Sequence, residues 1–195
     1  MEMISDEYGP SCHPHQYIPT KVQIYISRLL DRLPSQEKSH KPSQCINIPA
    51  PAHVQKETID KFLDTWGNSK AQDTINLWSD DFEQRLLPFS LQQPVRRREH
   101  AEFFYPKLVN NLANWKVGIK HIVHDADKST AAVYATSSAD TPIPEEKWTN
   151  EFSIFMTLTE DGLKVKKLEE MVDSAFYQRF FPIFQKWLIE SGALQ

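Results

Sequence analysis

The feature that most constrains this chain is a change of period near Asn114. Before it, apolar residues recur at helical spacing; after it, they alternate. "WKVGIKHIV" sets Trp115, Val117, Ile119, His121 and Val123 against Lys116, Gly118, Lys120 and Ile122. "STAAVYATSSA", "KWTNEFSIFMTLT" and "LKVKKLEEMV" follow as further strands, with turns at Asp125 to Lys128 and at Glu160, Asp161 and Gly162. An antiparallel meander of about four strands has one apolar face to cover, so helices elsewhere in the chain must pack on it.

The preceding sequence supplies those helices. "VQKETIDKFLDTWGN" puts Val54, Thr58, Phe62 and Trp66 near one face, with Ile59 and Leu63 beside them and Gly67 or Asn68 at the stop. "SKAQDTINLWSDDFEQRLL" predicts a second helix, capped by Ser69 and breaking near Asp80. "RRREHAEFFYPKLVNNLANW" predicts a third with Phe103, Phe104, Leu108 and Leu112 as its apolar positions, where Pro106 kinks the helix or restricts its start. A last helix is expected from about Ser174 to Leu188, with Asp173 in the N-cap slot and a kink at Pro182. Helices, then an antiparallel sheet, then a helix make an α+β fold, in which a curved sheet round the early helices forms a cone with one enclosed pocket.

Residues 1–53 read as an appendage to a main domain of residues 54–195. Met1 to Pro19 lacks apolar periodicity and is interrupted by Pro10, Pro14 and Pro19, which predicts a flexible arm. "TKVQIYISRLLDRL" predicts an amphipathic helix from Lys21 to Leu33, and Pro34 to His53 a proline-rich linker.

Composition excludes several function classes. A formal net charge of -4, and one basic run, Arg96 to Arg98, followed directly by Glu99, leave no footprint for a nucleic acid. No apolar run is long enough to span a membrane and the N-terminus is acidic and polar, so a cytoplasmic protein is expected. Cys12 and Cys45 lie outside any periodic segment and do not predict a disulfide; Cys12 with His13 and His15 makes too small a ligand set for a metal. With only five glycines and no phosphate loop, dinucleotide fingerprint or G-x-S-x-G elbow, no cofactor is expected.

The order of elements, "WSDDF" after the second helix, "WTNEF" opening a strand, and "TEDGLKVKKLEEMVDSAF" resemble the SnoaL-like polyketide cyclases of the nuclear-transport-factor-2-like superfamily, fungal secondary-metabolism members above all, over roughly Val54 to Leu188. The resemblance implies a cone-shaped α+β barrel, dimeric through the outer sheet face, whose enzymes cyclise, isomerise, dehydrate or hydrolyse small apolar substrates without a cofactor. Other members only bind ligands or partner proteins. The expected partners are therefore a small hydrophobic biosynthetic intermediate and a second copy of the chain.

His121 shares the alternating face of Trp115, Val117, Ile119 and Val123, and so is expected to point inward as a general base or acid; a hydrogen-bonded core histidine is the competing reading. His124 has the opposite parity and is expected in solvent. Asp173 matches the carboxylate that borders the cavity in the family's enzymes, which makes it the second catalytic candidate, although a helix cap accounts for it too. Glu169 shares the parity of Asp173, and Glu170 that of Leu168 and Val172; a regular strand sends Glu169 inward, a bulge Glu170. Asn150 lies on the apolar face of its strand, where its amide can hold a carbonyl or enolate oxygen. Tyr134, Tyr105 and Trp78 are candidates to line the cavity, or else core. These residues predict an isomerase or cyclase, with a dehydratase or a non-catalytic binding module as alternatives. Arg96 and Arg98 either gate the mouth, cap a helix or sit in solvent.

Overall fold

The computed structural model describes residues 49–193. The arm, the Lys21 to Leu33 helix, nearly all of the linker and both cysteines lie outside the described residues.

Helix α1 (Ala52–Gly67) and the short α2 (Ala71–Asn76) precede β1 (Trp78–Leu87). A two-residue strand β2 (Arg96–Arg97) leads into α3 (Arg98–Val109). The meander is β3 (Ala113–Asp125), β4 (Thr130–Asp140), β5 (Lys147–Leu158) and β6 (Val165–Val172), closed by α4 (Ser174–Glu190). All six strands share one curved, unclosed sheet in the order β2-β1-β6-β5-β4-β3. β1 runs parallel to β6, and every other neighbouring pair is antiparallel. The architecture is the expected α+β sheet under helices, with two strands more than the meander.

The extra strands correct the sequence reading. Residues 78–87 are not the continuation of a second helix: α2 stops at Asn76, and Trp78–Leu87 is a strand paired with β6 through Trp78 and through Glu83 to Leu87. Trp78, Phe82 and Leu86, spaced by four, satisfy a helical stripe and one face of a strand equally well. α3 starts at Arg98, carries Pro106 inside it and stops at Val109.

The inner sheet face is covered from two sides. Ile59 and Phe62 of α1 pack with Phe82, Val133, Phe152, Ile154 and Leu168 in the main cluster. Phe176, Phe180, Phe184 and Leu188 of α4, at helical spacing, pack round Trp148. α1 is tied to the strand turns by a buried glutamine, since Gln55 Nε2 donates to Ala50 O (2.7 Å) and Ala126 O (2.9 Å). His124 Nε2 sits 3.0 Å from Gln55 Oε1, and Thr58 Oγ1 donates to Gly162 O at 2.6 Å. Gly162, at φ +71°, makes this approach possible, because a Cβ there would lie 2.8 Å from that of Ala50.

Candidate active site

Sheet parity decides which side chains the helices enclose. On β5, Trp148, Phe152, Ile154 and Met156 are buried on the inner face, and Thr149, Glu151 and Phe155 are exposed on the outer one. Glu170 pairs with Ile154, and Glu169 with Phe155, so Glu170 is inside and Glu169 outside, where it meets Lys167 at 2.9 Å. This corrects the expectation for a regular strand: buried Leu168 and its partner Met156 set the inner parity, while Asp173 falls beyond the strand end.

Round Glu170 the inner face gathers polar groups from three elements. Gln84 of β1 donates from Nε2 to Glu170 Oε1 at 2.8 Å. Arg96 pairs directly with Gln84 across β1 and β2, which puts both side chains on the same face. Tyr105 reaches over from α3 and meets Trp78 edge to face at 5.6 Å; Trp78 is itself stacked on Phe82 at 4.4 Å. Neither the Trp78 indole nitrogen nor the Tyr105 hydroxyl, both shut off from solvent, has a hydrogen-bond partner. The Thr74 hydroxyl lies near that of Tyr105 but outside hydrogen-bond geometry, and itself reaches Lys70 O and Thr65 Oγ1, each 3.1 Å away.

The electrostatics follow from that enclosure. Burial raises the affinity of Glu170 for its proton above that of an ordinary carboxylate, with the Gln84 hydrogen bond and the Arg96 charge opposing it. Burial also pushes the Tyr105 phenol above the usual tyrosine range; the Thr74 hydroxyl works against this and the Glu170 charge adds to it. A carboxyl with raised proton affinity thus shares the inner sheet face with the Tyr105 phenol, which lies in its field, and with the Trp78 indole packed against that ring, a set of groups of the kind used in proton transfer at carbon next to an oxygen that gains charge.

Trp78 and Tyr105, expected to line the cavity, are in this group, but other predicted residues are elsewhere. His121 is exposed on the outer face, opposite Tyr134, with the two rings 6.0 Å apart. The pairing slips between Ile119 and His121, leaving Lys120 as an extra residue, so every later position on β3 changes side. His124 is consequently inside, on Gln55, contrary to its expected exposure. Tyr134 is corrected likewise: it lies on the outer face and its hydroxyl donates to Glu151 Oε1 at 2.6 Å. Asp173 caps α4, its Oδ1 accepting from the Ala175 and Phe176 amides at 3.0 and 3.1 Å. It is exposed, and Asn150, opposite buried Ser137 on the inner side of β5, accepts from the Asp173 amide at 3.3 Å. Asn150 and Asp173 border an open groove of about 550 Å³ together with Lys116, Thr136 and Thr149, away from the Glu170 group.

Gln84 is the site residue that sequence reasoning missed, whereas Arg96, one of the two arginines read as gating the mouth, capping a helix or sitting in solvent, stands half-buried at the sheet edge opposite it. The available signal was parity within "WSDDFEQRLL", which as a strand puts Gln84 beside Phe82 and Leu86. Among the described residues no cluster of His, Cys, Asp and Glu could hold a metal ion, and no helix is long and apolar enough to cross a membrane.

No protein-family model matches the chain. It is 58% identical over 149 residues to monooxygenase nsrS of Aspergillus novofumigatus, covering 76% of this chain and 99% of that protein. Monooxygenase dmxR10 of a Cryptosporiopsis species is 47% identical, over 75% of this chain and 97% of the other. The ergochrome gene cluster protein of Claviceps purpurea is 42% identical, over 72% and 90%. Among solved structures, the BvnE pinacolase of Penicillium brevicompactum superposes with a TM-score of 0.62 at 16% identity, over 69% of this chain and 92% of its own. A SnoaL-like polyketide cyclase from Jannaschia superposes at 0.53 and 13% identity, over 72% and 95%. At these identities the superpositions speak for the fold.

Proposed function

Because the chain belongs to the fungal family of nsrS and dmxR10 and has the SnoaL-like fold of the nuclear-transport-factor-2-like superfamily, we propose that it is an acid–base enzyme of fungal secondary metabolism, an isomerase or cyclase that needs no cofactor. Its substrate is a small, mainly apolar intermediate of polyketide, terpenoid or alkaloid type. The observation that supports this reading is the half-buried carboxyl of Glu170 on the inner sheet face, on the same side as the unpartnered donors of Trp78 and Tyr105.

In this mechanism the Glu170 carboxylate takes a proton from a carbon next to a carbonyl. The electron pair moves onto the carbonyl oxygen, which Trp78 N–H and Tyr105 O–H hold by hydrogen bonds. Glu170, now protonated, returns the proton at another carbon, which completes an isomerisation, or to the product of a ring closure in which the enolate carbon attacks a second carbonyl. Gln84 orients the carboxyl. Asp173 acts here as the cap of α4 and Asn150 fixes the strand-to-helix junction, which relieves both, and His121 on the outer face, of a chemical role.

The name monooxygenase carried by nsrS and dmxR10 favours a second reading with the same first step, in which the carbanion gives its electron pair to molecular oxygen and the peroxide anion takes the proton back from Glu170. Loss of water from the hydroperoxide, with the second hydrogen of that carbon, then leaves a carbonyl, so that one oxygen atom stays in the product, the other leaves as water and the substrate supplies the electrons. The deciding experiment is incubation with intermediates of the surrounding gene cluster while oxygen uptake and product mass are followed. An unchanged mass without oxygen uptake supports isomerisation or cyclisation. Product that has gained an oxygen atom, with uptake, sinks that reading, and turnover by Glu170→Gln at the native rate sinks both.

The outer sheet face exposes Val123, Phe155 and Met171, and this apolar surface supports a homodimeric enzyme. A sedimentation velocity run showing monomer alone overturns the dimer.

A further inference from the structure

Arg96 is a partly buried cation that the proposed chemistry leaves unused. It stands at the sheet edge on the inner face, opposite Gln84. Its contacts among the described residues are the face of the Phe104 ring, 5.8 Å from the guanidinium carbon, and the field of Glu170, which lies outside ion-pair distance. Its two neighbours in the basic run are accounted for differently. Arg98 donates to Trp78 O at 2.6 Å, to Ser79 O at 3.0 Å and to Glu102 at 2.7 Å. Arg97 is opposite Glu83 and exposed.

A guanidinium withdrawn from water without a carboxylate to match its fork is costly, unless a ligand supplies the anion. Glu170 does not supply it, because it lies outside ion-pair distance of Arg96 and Gln84 already takes one of its oxygens. The surroundings of Arg96 are aromatic, with Phe104 beneath it and the stacked Trp78 and Phe82 further along the same face.

We propose that Arg96 is the specificity determinant of this site and selects substrates bearing an anionic oxygen group, a carboxylate or an ionised phenol, on an aromatic framework. Resting on the acid–base reading only for the location of the site, the assignment makes Arg96 hold the charged end of the substrate while Glu170 works on the carbon acid. Loss of a charge-assisted hydrogen-bonded pair should weaken binding about ten- to hundredfold.

The test is calorimetric titration of the full chain with 2-naphthoate, 2,4-dinitrophenolate and the neutral 2-naphthamide. The expected result is that at least one anion binds wild type ten times more tightly than the amide, that Arg96→Met removes this preference, and that Arg97→Met retains it. Arg96→Lys, which keeps the charge without the fork, should fall between them. The stronger-bound anion tells carboxylate from phenol. Equal affinity for anions and amide, no anion binding to wild type, or an equal loss in Arg97→Met overturns the assignment. Turnover in Glu170→Gln is scored separately: its persistence rejects the acid–base reading while the calorimetry still decides on Arg96.

Discussion

Tyr105→Phe removes one oxygen atom from the interior and separates function from stability. In the native protein that oxygen has no accessible surface and no partner, although the ring packs against Trp78. A buried hydroxyl without a partner costs about 1–3 kcal/mol relative to one left in water. Phenylalanine keeps the ring contact and removes the cost, so the variant should be more stable by up to about that amount. In a chain of this size each kcal/mol moves the melting temperature by about 2–4 °C, which gives a rise of about 2–12 °C. The gain should widen in alkali: the folded-state pKa of Tyr105 is raised, so the stability it contributes is whole below the ordinary tyrosine pKa and is lost as pH rises through the raised value. Turnover should move the other way, by about 10²- to 10³-fold in kcat, if the hydroxyl holds the oxyanion of the transition state. Scanning calorimetry and steady-state kinetics on the same preparation read both. A lower melting temperature would show that the hydroxyl is satisfied in solution, and an unchanged kcat that it does not meet the reacting oxygen; either result refutes the reasoning.

Glu170→Gln should lower kcat about 10²- to 10⁴-fold, the usual span for a lost general acid–base. Its thermal stability should exceed that of wild type at neutral pH and converge with it in acid, because a raised carboxyl pKa means stability that is present below the ordinary carboxylate pKa and lost as pH climbs through the raised one. The acid limb of the wild-type kcat/KM profile should correspondingly lie above the ordinary carboxylate range. Gly162→Ala puts a side chain at positive φ, 2.8 Å from Ala50 Cβ, and should cost at least about 1–2 kcal/mol in urea denaturation. His121→Ala, on the outer face, should leave kcat/KM unchanged; a loss of the size expected for Glu170 would return the histidine to the mechanism.

Much of the fold was legible because periodicity follows from burial. The meander strands, the turn at Gly162 and the capped α4 all appear where the pattern placed them, Asp173 accepting the amides its N-cap position implies. The strand β1 was not legible, for a geometric reason. Apolar residues four apart repeat after about one helical turn and also after two strand periods, so Trp78, Phe82 and Leu86 could not decide between them. What decided was long-range: β1 pairs in parallel with β6, more than 80 residues later in the numbering, as in Gln84 with Leu168. No local pattern carries that information.

The site was harder to read than the fold, because it depends on the side to which single residues point. One extra residue at Lys120 sends His121 out and His124 in, and nothing in the composition of "GIKHIVHD" marks the slip. On β6 the local alternation was correct, with Glu169 and Glu170 on opposite faces; only the choice of inner face was open. Using Asp173 to make that choice favoured Glu169, whereas using the apolar residues favours Glu170, which shares its side with Leu168 and Val172. The second criterion is the physically stronger one. Burying Leu168 is worth about 1.5–3 kcal/mol and half-burying Val172 adds to it, whereas an aspartate before a helix is sufficiently explained by its cap. A charged residue that shares parity with buried apolar neighbours is carried inside by them, and the cost of holding it there is what shifts its proton affinity. For this chain, the argument from apolar burial picks out the same carboxyl as the argument from chemistry.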